Sequence, residues 1–274
     1  MTDTSIIRSK MKISDVFSLD QTFSCGQCFR WERLDRECWR GTAYGKTVTF
    51  YFDTPYLYAS CDEAELSAFW AKYLDLDRDY AAIRRAISVD AQTARCAESG
   101  AGIRILRQEP WEALISFIIS QCNNIPRIQG IISRLCALYG EKIDGGFAFP
   151  TPEALSRLSI EDLAPLRCGY RAPYILSSAQ AVSGRSLDLS ALESADTETI
   201  LRALLALPGV GIKVASCVLL FGFHRLEAFP VDTWIRKALK QDYGPDFDPA
   251  KAFGPYAGIA QQYIFYRTRG KNLA

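Results

Sequence analysis

Two residues in the C-terminal third of the chain could do chemistry together. Lys213 closes the string Leu207-Pro208-Gly209-Val210-Gly211-Ile212-Lys213, and Asp232 follows Phe229-Pro230-Val231. A lysine in the first turn of a helix sits at the positive end of the helix dipole, which disfavours a charged amine and suits a nucleophile. A carboxylate facing that amine can accept its proton or stabilise positive charge developing on a sugar. Each residue also has a plainer reading. Lys213 fits a solvated side chain or a phosphate contact, and Asp232 fits a helix N-cap after an extended proline.

The elements that must position this pair can be read around it. The run from Leu201 to Phe223 reads as helix, tight turn, helix, with Pro208 stopping the first helix. Gly209 and Gly211 permit positive φ and let another backbone approach closely. The second helix then begins with unpaired N–H groups, so Gly209, Gly211 and Val214 are candidate contacts for a DNA phosphate.

Upstream, residues from about 12 to 60 carry aromatic and β-branched residues in short runs. Turn signals fall at Leu34-Asp35-Arg36 and Tyr44-Gly45, which suggests hairpin strands. Spacing turns helical after Asp62, a candidate N-cap. Leu66, Phe69, Trp70, Tyr73 and Leu74 recur at i, i+3, i+4, i+7 and i+8, a core-facing stripe. From Arg78 onward the pattern is helical almost throughout. The expected fold class is α+β: an N-terminal antiparallel sheet domain with helices over residues 1–98, then an all-α helix-hairpin-helix domain over 99–274.

Bulk properties narrow the function classes. The 274 residues are enough for two domains, and the formal net charge of +1 argues against a bulk polycation but not against a basic stripe on one face. No apolar run is long enough for a membrane span, and the N-terminal residues show no secretion pattern, so a cytosolic compartment is expected. The nine cysteines, an odd number scattered along the chain, read as free thiols. Cys25 and Cys28 form a C-x-x-C pair with no second pair, and the one histidine, His224, is distant. No metal and no cofactor is expected.

With the hairpin, Lys213 and Asp232 in place, the chain resembles the helix-hairpin-helix glycosylases with a Gly/Pro-rich loop and an aspartate, and among them the 8-oxoguanine DNA glycosylase/lyase family. Four strings in family order carry the resemblance: Cys25–Trp31 (CGQCFRW), Ser116–Cys136, Leu207–Cys217 with Pro230–Trp234, and Gly254–Phe265. It implies a bifunctional base-excision enzyme acting on double-stranded DNA that contains 8-oxoguanine, and a monomer is expected because no sequence signal points to an oligomer. The lesion would be flipped from the duplex, Lys213 would attack the sugar C1′ and form a Schiff base, and β-elimination would nick the strand 3′ to the site. Gly26 matches the glycine whose carbonyl accepts the N7–H present in 8-oxoguanine and absent in guanine. Cys217 and Phe265 match the side chains that sandwich the flipped base, and Gln261 matches the one that reads its Watson–Crick edge. Asn123, Asn124 and Arg127 match the turn facing the estranged base, with Arg127 on the cytosine. Tyr170 and Arg171 match a wedge pair that enters the vacated position.

Two positions depart from the family pattern. Cys122 stands where the first of three asparagines is usual, and a thiol is a poor hydrogen-bond partner, so a weaker preference for cytosine opposite the lesion is expected. Trp234 stands where a phosphate-contacting histidine is usual in eukaryotic members, and His224, at no matching position, reads as a surface or packing residue. An alkylation-repair glycosylase of the same superfamily would lack Lys213. A non-catalytic DNA-binding hairpin would give Gly26, Gln261 and Phe265 no reason to accompany it.

Overall fold

The computed structural model describes residues 7–244 and 246–270. Residues 1–6 and 271–274, the outer ends of the two expected domains, lie outside the described residues. The N-terminal part is built on an antiparallel sheet of β1 (Ser9–Lys12), β2 (Trp31–Asp35), β3 (Cys38–Ala43), β4 (Lys46–Asp53) and β5 (Tyr56–Ala59). Strands β2 to β5 form a meander and β1 pairs with β5 at the far edge, giving the order β1-β5-β4-β3-β2. In β4, Val48, Phe50 and Phe52 are buried and alternate with outward Thr47, Thr49 and Tyr51, as a sheet with one covered face requires.

Helix α1 (Leu19–Ser24) covers that face together with the short helices α2 (Glu63–Glu65) and α3 (Ala71–Tyr73), which are joined by a π-helical stretch, Leu66–Trp70. Asp62 caps α2 by accepting the Glu65 N–H at 2.8 Å. Trp31 lies at the centre of this layer, stacked on Phe23 with ring centroids 3.9 Å apart and on Phe50 at 5.6 Å. Helix α1 interrupts the expected strand run because Ser18 supplies an N-cap, accepting the Gln21 N–H at 3.1 Å.

Helices α4 (Tyr80–Ile87), α5 (Ala91–Ser99), α6 (Pro110–Ser120), α7 (Ile125–Tyr139) and α8 (Pro152–Ser156) follow. A small hairpin of β6 (Lys142–Ile143) and β7 (Gly146–Phe147) lies between α7 and α8. The remainder comprises α9 (Ala172–Ser183), α10 (Leu189–Leu192), α11 (Thr197–Leu205), α12 (Ile212–Phe221), α13 (Thr233–Asp242), α14 (Pro249–Phe253) and α15 (Ala257–Gly270). Helix α12 packs on α6 and α11, and α15 packs on α5 and α13.

The buried side chains form two cores. The sheet's core runs from Phe17 to Leu74 and takes in Leu106. The helical core contains Tyr80, Ile83, Ile87, Cys96 and Ala97, so α4 and α5 pack with the helices although they precede residue 99. It also takes in Cys25 and Phe29, which reach across from the N-terminal part. Arg30 and Glu112 bridge the same seam at 3.0 Å, with side chains only 8% and 12% exposed.

Candidate active site at the seam between sheet and helices

A cavity of about 760 Å³ opens where the Cys25–Gly26 turn, the α6–α7 connection, the N-terminus of α12, the Val231–Trp234 stretch and the end of α15 converge. Gly26, Asn123, Asn124, Gly211, Lys213, Val214, Asp232 and Phe265 all line it. These residues come from distant parts of the chain, and the fold brings them to one wall-to-wall space.

Lys213 is the second residue of α12. Its Nζ donates to Ser120 Oγ at 3.3 Å, and lies 5.4 Å from the centre of the Phe117 ring below it. The Ser120 hydroxyl in turn donates to the Phe117 carbonyl at 2.8 Å, so toward the lysine it acts as an acceptor. Two residues of α6 thus set the position of the amine, and a cation over a ring face is favourable by about 0.5–2 kcal/mol depending on desolvation. Asp232 caps α13, accepting the Ile235 N–H at 2.8 Å, so the plain capping role holds while the carboxylate also faces the cavity. Cys217, one turn beyond Lys213, is buried behind it. Burial pushes its thiol up to about 11; the nearby Lys213 charge acts against that rise, and Asp232 adds to it.

The hairpin between α11 and α12 has the expected form of helix, tight turn and helix. Gly209 has φ +76°, and a Cβ there would lie 2.3 Å from the Tyr174 ring, so glycine is required both for conformation and for close approach. Gly211 does not use that freedom: it has φ −90° as the N-cap of α12, which any residue can adopt. Its value is an open approach: a Cβ there would meet nothing within 4 Å. Ala215 N–H is the first to close a helical bond, to the Gly211 carbonyl at 3.0 Å, which leaves the N–H groups through Val214 for an outside acceptor.

The opposite wall belongs to the lesion-reading candidates. Gly26 has φ +85° and lies against Phe265 and Ile125. Gln261 is 4% exposed and stands one turn before Phe265 on α15. Its buried Oε1 has no hydrogen-bond partner among the described residues, an orphaned acceptor beside the cavity. Cys217 and Gln261 do not reach the cavity surface; they stand just behind it.

The residues expected to face the estranged strand divide. Asn123 donates to the Ile119 carbonyl at 3.2 Å, and Asn124 caps α7 by accepting the Arg127 N–H at 3.0 Å. The Arg127 side chain is exposed and makes no hydrogen bond or ion pair among the described residues. Tyr170 is 53% exposed, as a wedge requires. Arg171 is not at the surface: it is 3% exposed, and its guanidinium donates to the carbonyls of Cys168 at 3.0 Å, of Cys122 at 3.3 Å and of Gln121. It clamps the 121–122 connection, holding the two carbonyls there and that of Cys168 with one rigid fork. Cys122 itself is exposed at φ +48°.

Several contributors escaped the sequence reading. Phe29, Phe117, Ser120 and Arg236 line the cavity, as does Trp234, named above only as a departure from the family pattern. His224 is neither a free surface residue nor plain packing. Its Nε2 lies 3.2 Å from the Ile105 carbonyl and 3.6 Å from Asp75, a fully buried carboxylate also held by Arg78 and Arg107. Spacing carried no signal for any of these, since each acts through a partner distant in sequence.

The cavity, the hairpin with its lysine and the capping aspartate define a class, and the comparisons with known proteins agree. Residues 115–252 match the family model described as HhH-GPD superfamily base excision DNA repair protein. Residues 10–114 match the N-terminal domain of 8-oxoguanine DNA glycosylase. The chain is 31% identical over 278 residues to N-glycosylase/DNA lyase OGG1 of Arabidopsis thaliana, covering 90% of this chain and 76% of that protein. It is 39% identical over 188 residues to the N-glycosylase/DNA lyase of Saccharomyces cerevisiae, covering 63% of this chain and about half, 50%, of the yeast protein's length. A solved structure of Clostridium acetobutylicum 8-oxoguanine glycosylase/lyase, in complex with dsDNA containing cytosine opposite 8-oxoG, is 34% identical and superposes with a TM-score of 0.88, covering 97% of this chain and 99% of that one. The chain belongs to the 8-oxoguanine DNA glycosylase family of the HhH-GPD superfamily. Among the described residues, no helix is long and apolar enough to cross a membrane.

Proposed function

We propose that this chain removes 8-oxoguanine from duplex DNA and then cuts the strand at the resulting site. The observation that carries the reading is the convergence of Lys213 and Asp232 on a cavity whose far wall is Gly26 and Phe265. Lys213 Nζ, as the free amine, attacks C1′; the N–C1′ bond forms as the C1′–N9 bond breaks, and the base leaves with the bonding pair and takes up a proton. Asp232 stabilises the positive charge that develops on the sugar. Loss of the amine proton and ring opening give the Schiff base, loss of a C2′ proton follows, and the C3′–O3′ bond breaks. Ser120 and Phe117 keep the amine aimed at the cavity throughout.

Recognition is assigned to the opposite wall. The Gly26 carbonyl accepts N7–H of the lesion, whereas guanine would bring its own acceptor against it. Gln261 meets the Watson–Crick edge, for which its unpaired Oε1 supplies the acceptor. Phe265 and Cys217 flank the base plane. The backbone of the hairpin from Gly209 through Gly211 to Val214 holds a phosphate. Asn123, Asn124 and Arg127 face the partner strand, and Tyr170 enters the gap. The domain division is placed at residues 98 and 99, the first part contributing Gly26 to recognition and the second carrying Lys213 and Asp232. The enzyme acts as a monomer where the genome is, in the cytoplasm at the nucleoid of a bacterium or in the nucleus of a eukaryote.

Borohydride trapping on duplexes carrying 8-oxoguanine, guanine or an alkylated base tests this. A covalent adduct is expected with 8-oxoguanine in the wild type and none with Lys213→Gln. An enzyme that forms no adduct on any lesion refutes the reading.

A further inference from the structure

A carbonyl can discriminate between two bases only if its peptide is held still. Gly26 occupies φ +85° in a turn outside any helix or strand, and with no Cβ its flanking peptides are free to rotate. The clamps are on its neighbours. On one side, Gln27 is fully buried and ties the turn to the segment leading into α6. Its Nε2 donates to the carbonyls of Thr22 at 2.9 Å and Arg104 at 2.7 Å, and its Oε1 accepts the Leu106 N–H at 2.9 Å. On the other side, the Cys25 carbonyl accepts a 2.7 Å hydrogen bond from Gln262 Nε2, on a side chain 2% exposed. Among the described residues, the carbonyl of Gly26 receives no hydrogen bond.

Gln262 comes from α15, directly after Gln261 and three residues before Phe265. Its bond spans 237 positions of sequence and ties the Gly26 turn to the helix that carries two of the other lesion-reading candidates, Gln261 and Phe265. We propose that Gln262 is a positioning residue for lesion recognition, fixing the Cys25–Gly26 peptide so that the Gly26 carbonyl meets N7–H of the flipped base. The assignment rests on the reading of Gly26 given above. Without the donor, the Cys25 carbonyl is buried and unpaired, and rotation of that peptide about the permissive glycine is its way to another partner. The amine of Lys213 is held by α6 and is untouched by the change.

The test measures two single-turnover activities on the same protein: excision of 8-oxoguanine, and Schiff-base trapping on a preformed abasic site that has no base to read. Gln262→Leu keeps the side-chain volume and removes the donor. Excision is expected to fall about tenfold, as loss of one buried hydrogen bond predicts, with abasic trapping within about twofold of wild type. Gln262→Met, which fills the same space with a flexible chain, is read by the same ratio. Unchanged excision overturns the assignment, as does equal loss of both activities, including loss through unfolding. A wild-type enzyme that leaves 8-oxoguanine in place overturns the reading of Gly26 as well, whereas a wild type that excises it beside unaffected variants overturns the role of Gln262 alone.

Discussion

Replacing Gly26 by alanine separates the lesion-reading wall from the chemistry. At φ +85° a side chain costs about 1–2 kcal/mol in backbone strain. The added methyl would lie 3.4 Å from Phe265 Cε1 and 3.5 Å from Ile125 Cδ1, ordinary contacts that require no repacking. A less flexible unfolded chain returns about 0.4–1 kcal/mol. The net loss is about 1 kcal/mol, which for a chain of this size lowers Tm by about 2–4 °C. Excision should suffer far more. The methyl intrudes on the cavity wall beside Phe265, and relief of strain moves the proposed reading carbonyl. Loss of that hydrogen bond alone slows single-turnover excision of 8-oxoguanine about five- to tenfold, and obstruction adds to it. Trapping on an abasic site should stay near wild type. Two results would refute the reasoning: a variant a few degrees less stable that still excises at the wild-type rate, or a Tm loss well beyond 10 °C, which would mean the turn is not as open as its contacts indicate.

Two further outcomes follow from the same geometry. Cys122 sits at φ +48°, where asparagine is well tolerated, and the neighbouring Arg171 is already committed to loop carbonyls. Wild type should therefore discriminate weakly among bases opposite the lesion, and Cys122→Asn should raise the cytosine preference several-fold in single-turnover assays with all four partners; strict cytosine dependence in the wild type would contradict this. Burial and then the Glu112 charge push Glu109 up to about 7 from 4.5, so between those values the folded state binds more protons than the unfolded chain and stability falls as pH rises. Burial draws His224 down from 6.5 to about 4 against the pull of Asp75, so here the unfolded chain binds more protons and stability rises with pH over that window. Urea midpoints from pH 4 to 8 should show Glu109→Gln gaining on wild type as pH rises, and His224→Asn losing its advantage as pH rises; curves parallel to wild type would sink both assignments.

What the sequence disclosed and what it withheld have a physical pattern. Lys213 and Asp232 were legible because a helix start and an N-cap are local events, written in Pro208, Gly209 and Pro230. The hairpin strands were legible from alternation, while α1 was not, because a six-residue helix has too few turns to show a period. The core that each helix joins was not legible for the same kind of reason. Helices α4 and α5 carry ordinary amphipathic stripes, and nothing local says whether the partner is the sheet before them or the helices after them. Arg171 shows the limit of residue-by-residue matching. Its position fits a wedge, but its guanidinium has found carbonyls supplied by a connection about fifty residues earlier. Gln27 and Gln262 were invisible for lack of any spacing rule that links a glutamine to a distant peptide.

The location of the cavity leads us to expect that its two proposed tasks can be tuned apart. The amine and its supports, Lys213, Ser120 and Phe117, all belong to α12 and α6, two helices that pack within one core. The Gly26 part of the proposed reading wall hangs from the other side of the seam, from a turn whose residues Cys25 and Phe29 are sealed into that same core while Cys28 and Trp31 belong to the sheet. Alternate residues of one short string thus anchor in two different cores. Gly26 lies between the anchors, and its conformation is set by both domains at once. A change in how the sheet seats on the helices would shift the reading carbonyl and leave the amine where it is. Selectivity for the lesion is therefore expected to track the integrity of the seam, including the buried Arg30–Glu112 pair, while strand cleavage at a base-free site tracks only the packing of α6 on α12.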